Sequence, residues 1–180
     1  MKAAVLVIDM LNDFVHGALK VERATGIIPN IRRLLEHARG RGIPIIYAND
    51  SHLPKGDKEF QLWPEHAVAG TWGAEVIDEL KPGVGDYVVR KRRYSAFYST
   101  DLDLLLRELD VDTLVLTGLV TDICVQHTAA DAFFRGYRVI IPRDCVETVT
   151  EERHEAALEY MKSAYGCEIT TTDELLKRLT

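Results

Sequence analysis

Thr113-Leu114-Val115-Leu116-Thr117-Gly118-Leu119-Val120-Thr121-Asp122-Ile123-Cys124-Val125 reads as a strand that runs through a tight turn into a helix. The alternation recurs on either side of it. Short apolar runs at Ala3 to Ile8, Ile43 to Ala48, Tyr87 to Arg90, Arg138 to Ile141 and Cys167 to Thr170 are separated by amphipathic stretches. Parallel strands joined by crossover helices leave this pattern, because such strands are buried on both faces. Pro29 to Arg39 carries Ile31, Leu34, Leu35 and Ala38 at helical spacing, opened by a proline and closed by Gly40. Asp101 to Leu109, Asp122 to Phe134 and Glu151 to Ala164 follow the same logic. The pattern predicts an α/β, doubly wound fold: a mostly parallel sheet with helices on both faces.

With 180 residues and 47% hydrophobic content, the chain can build one sizeable core, so residues 1–180 are expected to form a single domain. A formal charge of −6 argues against nucleic-acid phosphates or anionic membranes as partners, since both are bound through clustered cations. The one basic run, Arg90-Lys91-Arg92-Arg93, is too short to reverse that. The N-terminal apolar run is stopped by Asp9 with no cleavage site after it, and no segment has the ~18 uninterrupted apolar residues of a membrane helix. A cytoplasmic protein is expected. Three cysteines (Cys124, Cys145 and Cys167) without a CxxC pair indicate neither a disulfide framework nor an all-cysteine zinc site.

The strand-turn-helix segment offers chemistry. Thr121 or Asp122 can cap the helix, which puts Cys124 in its first turn, where free N–H groups and the helix dipole favour a thiolate and can hold an oxyanion. By itself, Cys124 reads equally as a small buried apolar residue. Asp9 follows the first strand, at the rim where a general base or a metal ligand is useful, and where a turn cap is the plainer alternative. Lys91 ends a strand too, although a lysine among three arginines is ordinarily a solvent-facing charge. One long stretch, Asp50 to Thr71, lacks periodicity, and such connections are often functional. It holds Asp50 and His52, one residue apart, and later His66, a set of two imidazoles and a carboxylate that suits zinc, iron or manganese. His16, His37, His127 and His154 show no such pattern and are expected at the surface or as caps.

These segments together resemble the isochorismatase-like cysteine hydrolases, and among them the nicotinamidases. The matching pieces are Val-Ile-Asp-Met-Leu-Asn-Asp-Phe at 7–14, Asn-Asp-Ser-His at 49–52, Leu-Trp-Pro-Glu-His at 62–66, Gly-Thr-Trp-Gly-Ala-Glu at 70–75, Lys-Arg-Arg-Tyr-Ser-Ala-Phe at 91–97 and Gly-Leu-Val-Thr-Asp-Ile-Cys-Val at 118–125. The resemblance implies a triad of Asp9, Lys91 and Cys124, an oxyanion hole from the N–H groups of Val120 and Cys124, and a cis peptide at Leu119–Val120. It implies metal ligands Asp50, His52 and His66, with Glu59, seven residues before His66, as a further ligand. Phe14 and Trp63 match aromatic positions that sandwich a pyridine ring. The implied reaction is hydrolysis of an amide through a cysteine thioester, with nicotinamide the substrate that the metal residues favour.

There are departures. The loop between His52 and His66 is shorter than in several relatives, and a histidine some of them place inside it is missing. Relatives that hydrolyse ureido or carbamoyl amides share the triad, so a metal-free amidase of that type is the alternative. Isochorismatases proper lack the cysteine. Relatives commonly form dimers or tetramers, and a homo-oligomer is expected.

Overall fold

In the computed structural model, which describes residues 1–179, seven strands form one sheet in which every pairing is parallel. They are β1 (Ala3–Ile8), β2 (Ile45–Asp50), β3 (Tyr87–Lys91), β4 (Thr113–Leu119), β5 (Arg138–Pro142), β6 (Val146–Glu147) and β7 (Glu168–Thr170). The order is β3-β2-β1-β4-β5-β7, with β6 extending the sheet beside the end of β4. The helices are α1 (Asn12–Val15), α2 (Ile28–Gly40), α3 (Leu102–Glu108), α4 (Gln126–Phe134), α5 (Glu151–Tyr165) and α6 (Thr172–Leu176).

The period-2 geometry of β1 divides the core. Val5 and Val7 face Ile31, Leu34 and Leu35 of α2 and Leu175 of α6. Ala4, Leu6 and Ile8 face the other way, toward Leu102 and Leu106 of α3, Ala129 and Ala132 of α4, and Leu158 and Met161 of α5. Both faces are therefore covered, as the doubly wound pattern predicts, and all six residues of β1 are buried. The ends of α5 and α6 follow local rules. The Thr150 hydroxyl accepts from the Arg153 N–H, Gly166 closes α5 at φ 66°, and Thr171 with Glu174 forms a capping box.

Some boundaries move. β2 starts and ends two residues later than the apolar run suggests, β4 continues to Leu119, and β6 is an additional short strand. Asp50 and Lys91 thereby become the last residues of their strands, paired in register. The winding reverses between β1 and β4, where open α/β sheets form a crevice at the carboxyl ends of their strands. No helix among the described residues is long and apolar enough to cross a membrane.

Candidate active site

β1 and β4 converge at the crevice because Gly118 is paired with Ile8. Gly118 sits at φ 102°, and a side chain there would overlap the carbonyl oxygen of Ile8. The chain then turns at Asp9, which takes a left-handed φ of 52°, a conformation aspartate tolerates better than most residues. That turn swings its carboxylate under the strand ends. Oδ1 accepts from the Asp50 N–H at 2.7 Å, and Oδ2 lies 2.8 Å from Lys91 Nζ. The ion pair is not aligned as a hydrogen bond, which leaves Oδ2 a free lone pair.

Lys91 closes the edge strand β3. Contrary to the expectation for a lone lysine among arginines, it is 1% exposed, whereas Arg90 and Arg92 face solvent. Its ammonium donates to Asp50 Oδ1 at 2.6 Å and to the Arg93 carbonyl at 3.2 Å, and sits 3.6 Å from Cys124 Sγ. Asp9 and Asp50 each bring a carboxylate oxygen within 4.8 Å of the Cys124 sulfur. The structure thus gathers Asp9, Lys91 and Cys124 from three different strand ends.

Burial and mutual charge set their protonation. Burial, with Asp50 beside it, raises Asp9 to about 6, and Lys91 only partly offsets this. Burial would lower Lys91, but Asp50, Asp9 and Cys124 hold it well above 10.5. Burial also pushes the Cys124 thiol well above 9, with Lys91 opposing. At neutral pH the group is a neutral thiol between a carboxylate and an ammonium. Enclosure thus opposes the thiolate that the helix end and Lys91 favour. Asp9 is placed to accept the thiol proton, and Lys91 to face the thiolate that results.

The turn before Cys124 also differs from a capped α-helix. The Leu119–Val120 peptide is cis, as the resemblance implies. Thr121–Val125 form a π-helical turn, with Val125 N–H donating to the Val120 carbonyl at 3.2 Å, and α4 follows. Neither Thr121 nor Asp122 caps it. The Thr121 hydroxyl is 3.0 Å from Nδ1 of His154, and Asp122 accepts from Thr148 Oγ1 and Arg153 Nε, each at 2.6 Å. His154, expected at the surface, is buried in that contact.

The long loop brings its ligand set together by pairing backbones. The His52 N–H donates to the Ala67 carbonyl and the Ala69 N–H to the His52 carbonyl, each at 2.9 Å, forming a bridge between His52 and Val68. His52 and His66 rings meet at 4.7 Å. Asp50 Oδ2 lies 3.5 Å from His52 Nε2 and 3.9 Å from His66 Nε2, and Glu59 Oε2 lies 3.4 Å from His52 Nε2. The Nδ1–H of His66 donates to the Pro64 carbonyl at 2.7 Å, which leaves Nε2 as a lone pair. Among the described residues, buried His52 Nε2 and Glu59 Oε2 have no hydrogen-bond partner. Orphaned buried polar atoms cost ~1–3 kcal/mol each, and a divalent cation bound by their lone pairs would remove that cost. The residues present therefore fit a metal of the zinc, iron or manganese type.

A cavity of about 320 Å³ joins the two clusters. Asp9, Asp50, Glu59, His66 and Cys124 line it together with Phe14, Trp63 and Tyr94. Phe14 meets His66 edge-on at 5.5 Å, and the Trp63 Nε1–H donates to Tyr94 Oη at 3.1 Å. Tyr94 stands inside the 91–97 motif with no separate signal of its own, and Asp57 is an isolated loop acid without periodicity, so neither is legible as a site residue in the sequence. The same holds for Lys20 and Arg153, which line the same cavity from segments far from the motifs.

The acid, lysine and cysteine at the switch point of this α/β sheet form the arrangement expected of a cysteine hydrolase. The Isochorismatase domain profile matches residues 3–174, and the chain belongs to that family. The N-carbamoylsarcosine amidase of Thermoplasma acidophilum is 43% identical, with a TM-score of 0.90 over 96% of this chain and 98% of that one. The nicotinamidase PncA of Bacillus subtilis is 38% identical, with a TM-score of 0.90 over 94% and 99%. The pyrazinamidase of Pyrococcus horikoshii, solved in complex with zinc, is 33% identical, with a TM-score of 0.88 over 95% and 99%.

Proposed function

We propose that this isochorismatase-family enzyme is an amidohydrolase that converts nicotinamide to nicotinate and ammonia. The observation that carries the proposal is the cluster of Asp50, His52 and His66, with His52 Nε2 and nearby Glu59 Oε2 lacking hydrogen-bond partners, beside a cavity lined by Phe14 and Trp63. A flat heteroaromatic amide fits such a lining by stacking. Asp50, His52 and His66, with Glu59, would hold the metal, which when bound supplies a Lewis-acid contact for the ring nitrogen.

The rest is done by the chain's own residues. Asp9 takes the Sγ proton of Cys124, and Lys91 stabilises the thiolate electrostatically. The sulfur attacks the carboxamide carbon, and the N–H groups of Val120 and Cys124 receive the developing oxyanion. Asp9 returns its proton to the nitrogen as the C–N bond breaks and ammonia leaves. Water, deprotonated by Asp9, then hydrolyses the thioester and restores the thiol.

A second reading has an observation of its own. Lys20 and Arg153 line the cavity, ion-paired with Glu22 and Asp122, and either could exchange that partner for the carboxylate of an N-carbamoyl or ureido acid. The similarity to N-carbamoylsarcosine amidase supports it. Ammonia release by metal-analysed protein, compared between nicotinamide and a panel of carbamoyl and ureido acids, decides between them. No ammonia from nicotinamide with rapid release from a carbamoyl acid overturns the first proposal.

A further inference from the structure

We infer that Asp57 is a positioning residue for the metal site: it fixes the tautomer and orientation of His52. The inference rests on the metal-dependent reading above. Asp57 has a side chain with no solvent exposure, and both of its oxygens are fully engaged. Oδ2 accepts from His52 Nδ1 at 3.0 Å, Arg92 Nε at 3.1 Å and the Leu53 N–H at 3.4 Å. Oδ1 accepts from Arg93 Nη1 at 3.1 Å and the Glu59 N–H at 3.4 Å.

Two consequences follow from that donor set. A carboxylate facing Nδ1 requires the proton there, which leaves the lone pair on Nε2, the atom turned toward Asp50 and Glu59. Arg92 and Arg93 lie just past β3, so their contacts hold the Asp57 carboxylate in place against His52. A carboxamide could not replace it. All five partners are donors, and an amide NH2 would face some of them as a sixth.

The test is zinc affinity of the full-length, metal-free protein, measured by competition with a chromophoric chelator for wild type, Asp57→Asn and Asp57→Ala. Both variants are expected to weaken zinc binding about 10–100-fold. Alkylation of Cys124 by iodoacetamide in the metal-free proteins should stay within about twofold, because no Asp57 contact reaches the thiol. If the affinity loss comes with a larger change in alkylation, Asp57 is merely structural and the inference fails. A measurement on wild type does not depend on the variants folding: long-range 1H–15N spectra of zinc-loaded, 15N-histidine-labelled protein, with His52 assigned by its loss in His52→Gln. The proton is expected on Nδ1, and a proton on Nε2 overturns the inference. Zinc binding by wild type with unchanged affinity in both variants sinks this inference alone. Wild type that binds no zinc sinks the metal-dependent reading with it.

Discussion

Asp50 and Lys91 end adjacent parallel strands as register partners, and Lys91 Nζ donates to Asp50 Oδ1 at 2.6 Å. The other oxygen of Asp50 faces His52 and His66. One carboxylate therefore belongs to both clusters, and it balances the ammonium that Asp9 also approaches.

Replacing Lys91 by Met leaves Asp9 and Asp50 buried without a counter-charge. Breaking a buried pair from one side costs about 3–5 kcal/mol. Urea unfolding of Lys91→Met is expected to show a loss of that order, together with loss of ammonia release. Wild-type stability in this variant contradicts the electrostatic role given to Lys91.

Cys124→Ser should lower turnover on the order of 10⁴-fold or more, because an alkoxide is far harder to generate beside Asp9 than a thiolate. The other cysteines cannot substitute. Burial raises both Cys145 and Cys167 to about 12, and neither lines the cavity. Steady-state ammonia assays check this, and intact mass after rapid quenching should show the acyl adduct on wild type only.

The pH profile depends on Asp9, which must be ionised to accept the thiol proton. With Asp9 raised to about 6, kcat/KM should fall about tenfold per pH unit below that value and level off above it. Stability has the opposite sign. A carboxyl whose folded value exceeds its ordinary 3.8 makes its full contribution below that value and loses it as pH rises through about 6. Activity should therefore disappear on acidification before Asp9 gives any reason for the fold to weaken, which circular dichroism across pH 5–7 can confirm or refute.

Removing the metal with a chelator is expected to raise KM for nicotinamide by at least about tenfold, while Cys124 remains open to alkylation. An unchanged KM after verified metal loss favours the carbamoyl-acid reading.

Gly118→Ala probes the convergence of β1 and β4. A methyl group at φ 102° facing the Ile8 carbonyl should cost about 1–3 kcal/mol from backbone conformation alone, and more from the overlap. A melting temperature within a degree of wild type would show that the two strands can separate there without loss.

The fold was legible because both faces of the sheet are buried. Runs such as Ala3 to Ile8 have no polar alternation and read as parallel strands without further information. Cys124, Asp9 and Lys91 each stood at a strand end, yet their meeting depends on strand order, which periodicity does not encode. The burial of Lys91 was invisible for the same reason: an edge strand with solvent-facing Tyr87, Val88 and Arg90 gives no hint that its last residue turns inward. Asp57 was hidden more deeply still, since its partners come from its own loop and from the chain just past β3.

The bridge between His52 and Val68 has a consequence for the chain between them. It pins the two ends of the intervening segment side by side, so the segment leaves the scaffold and returns at nearly one point. Closure entropy changes only slowly with length once the ends are fixed, about 0.6 kcal/mol per doubling. The stretch from Leu53 to Ala67 can therefore change length at little entropic cost, with Asp57 and Trp63 as its further ties to the chain beyond β3. Its length is thus set apart from the three strand ends that hold Asp9, Lys91 and Cys124, whose positions rest on the sheet's own pairing.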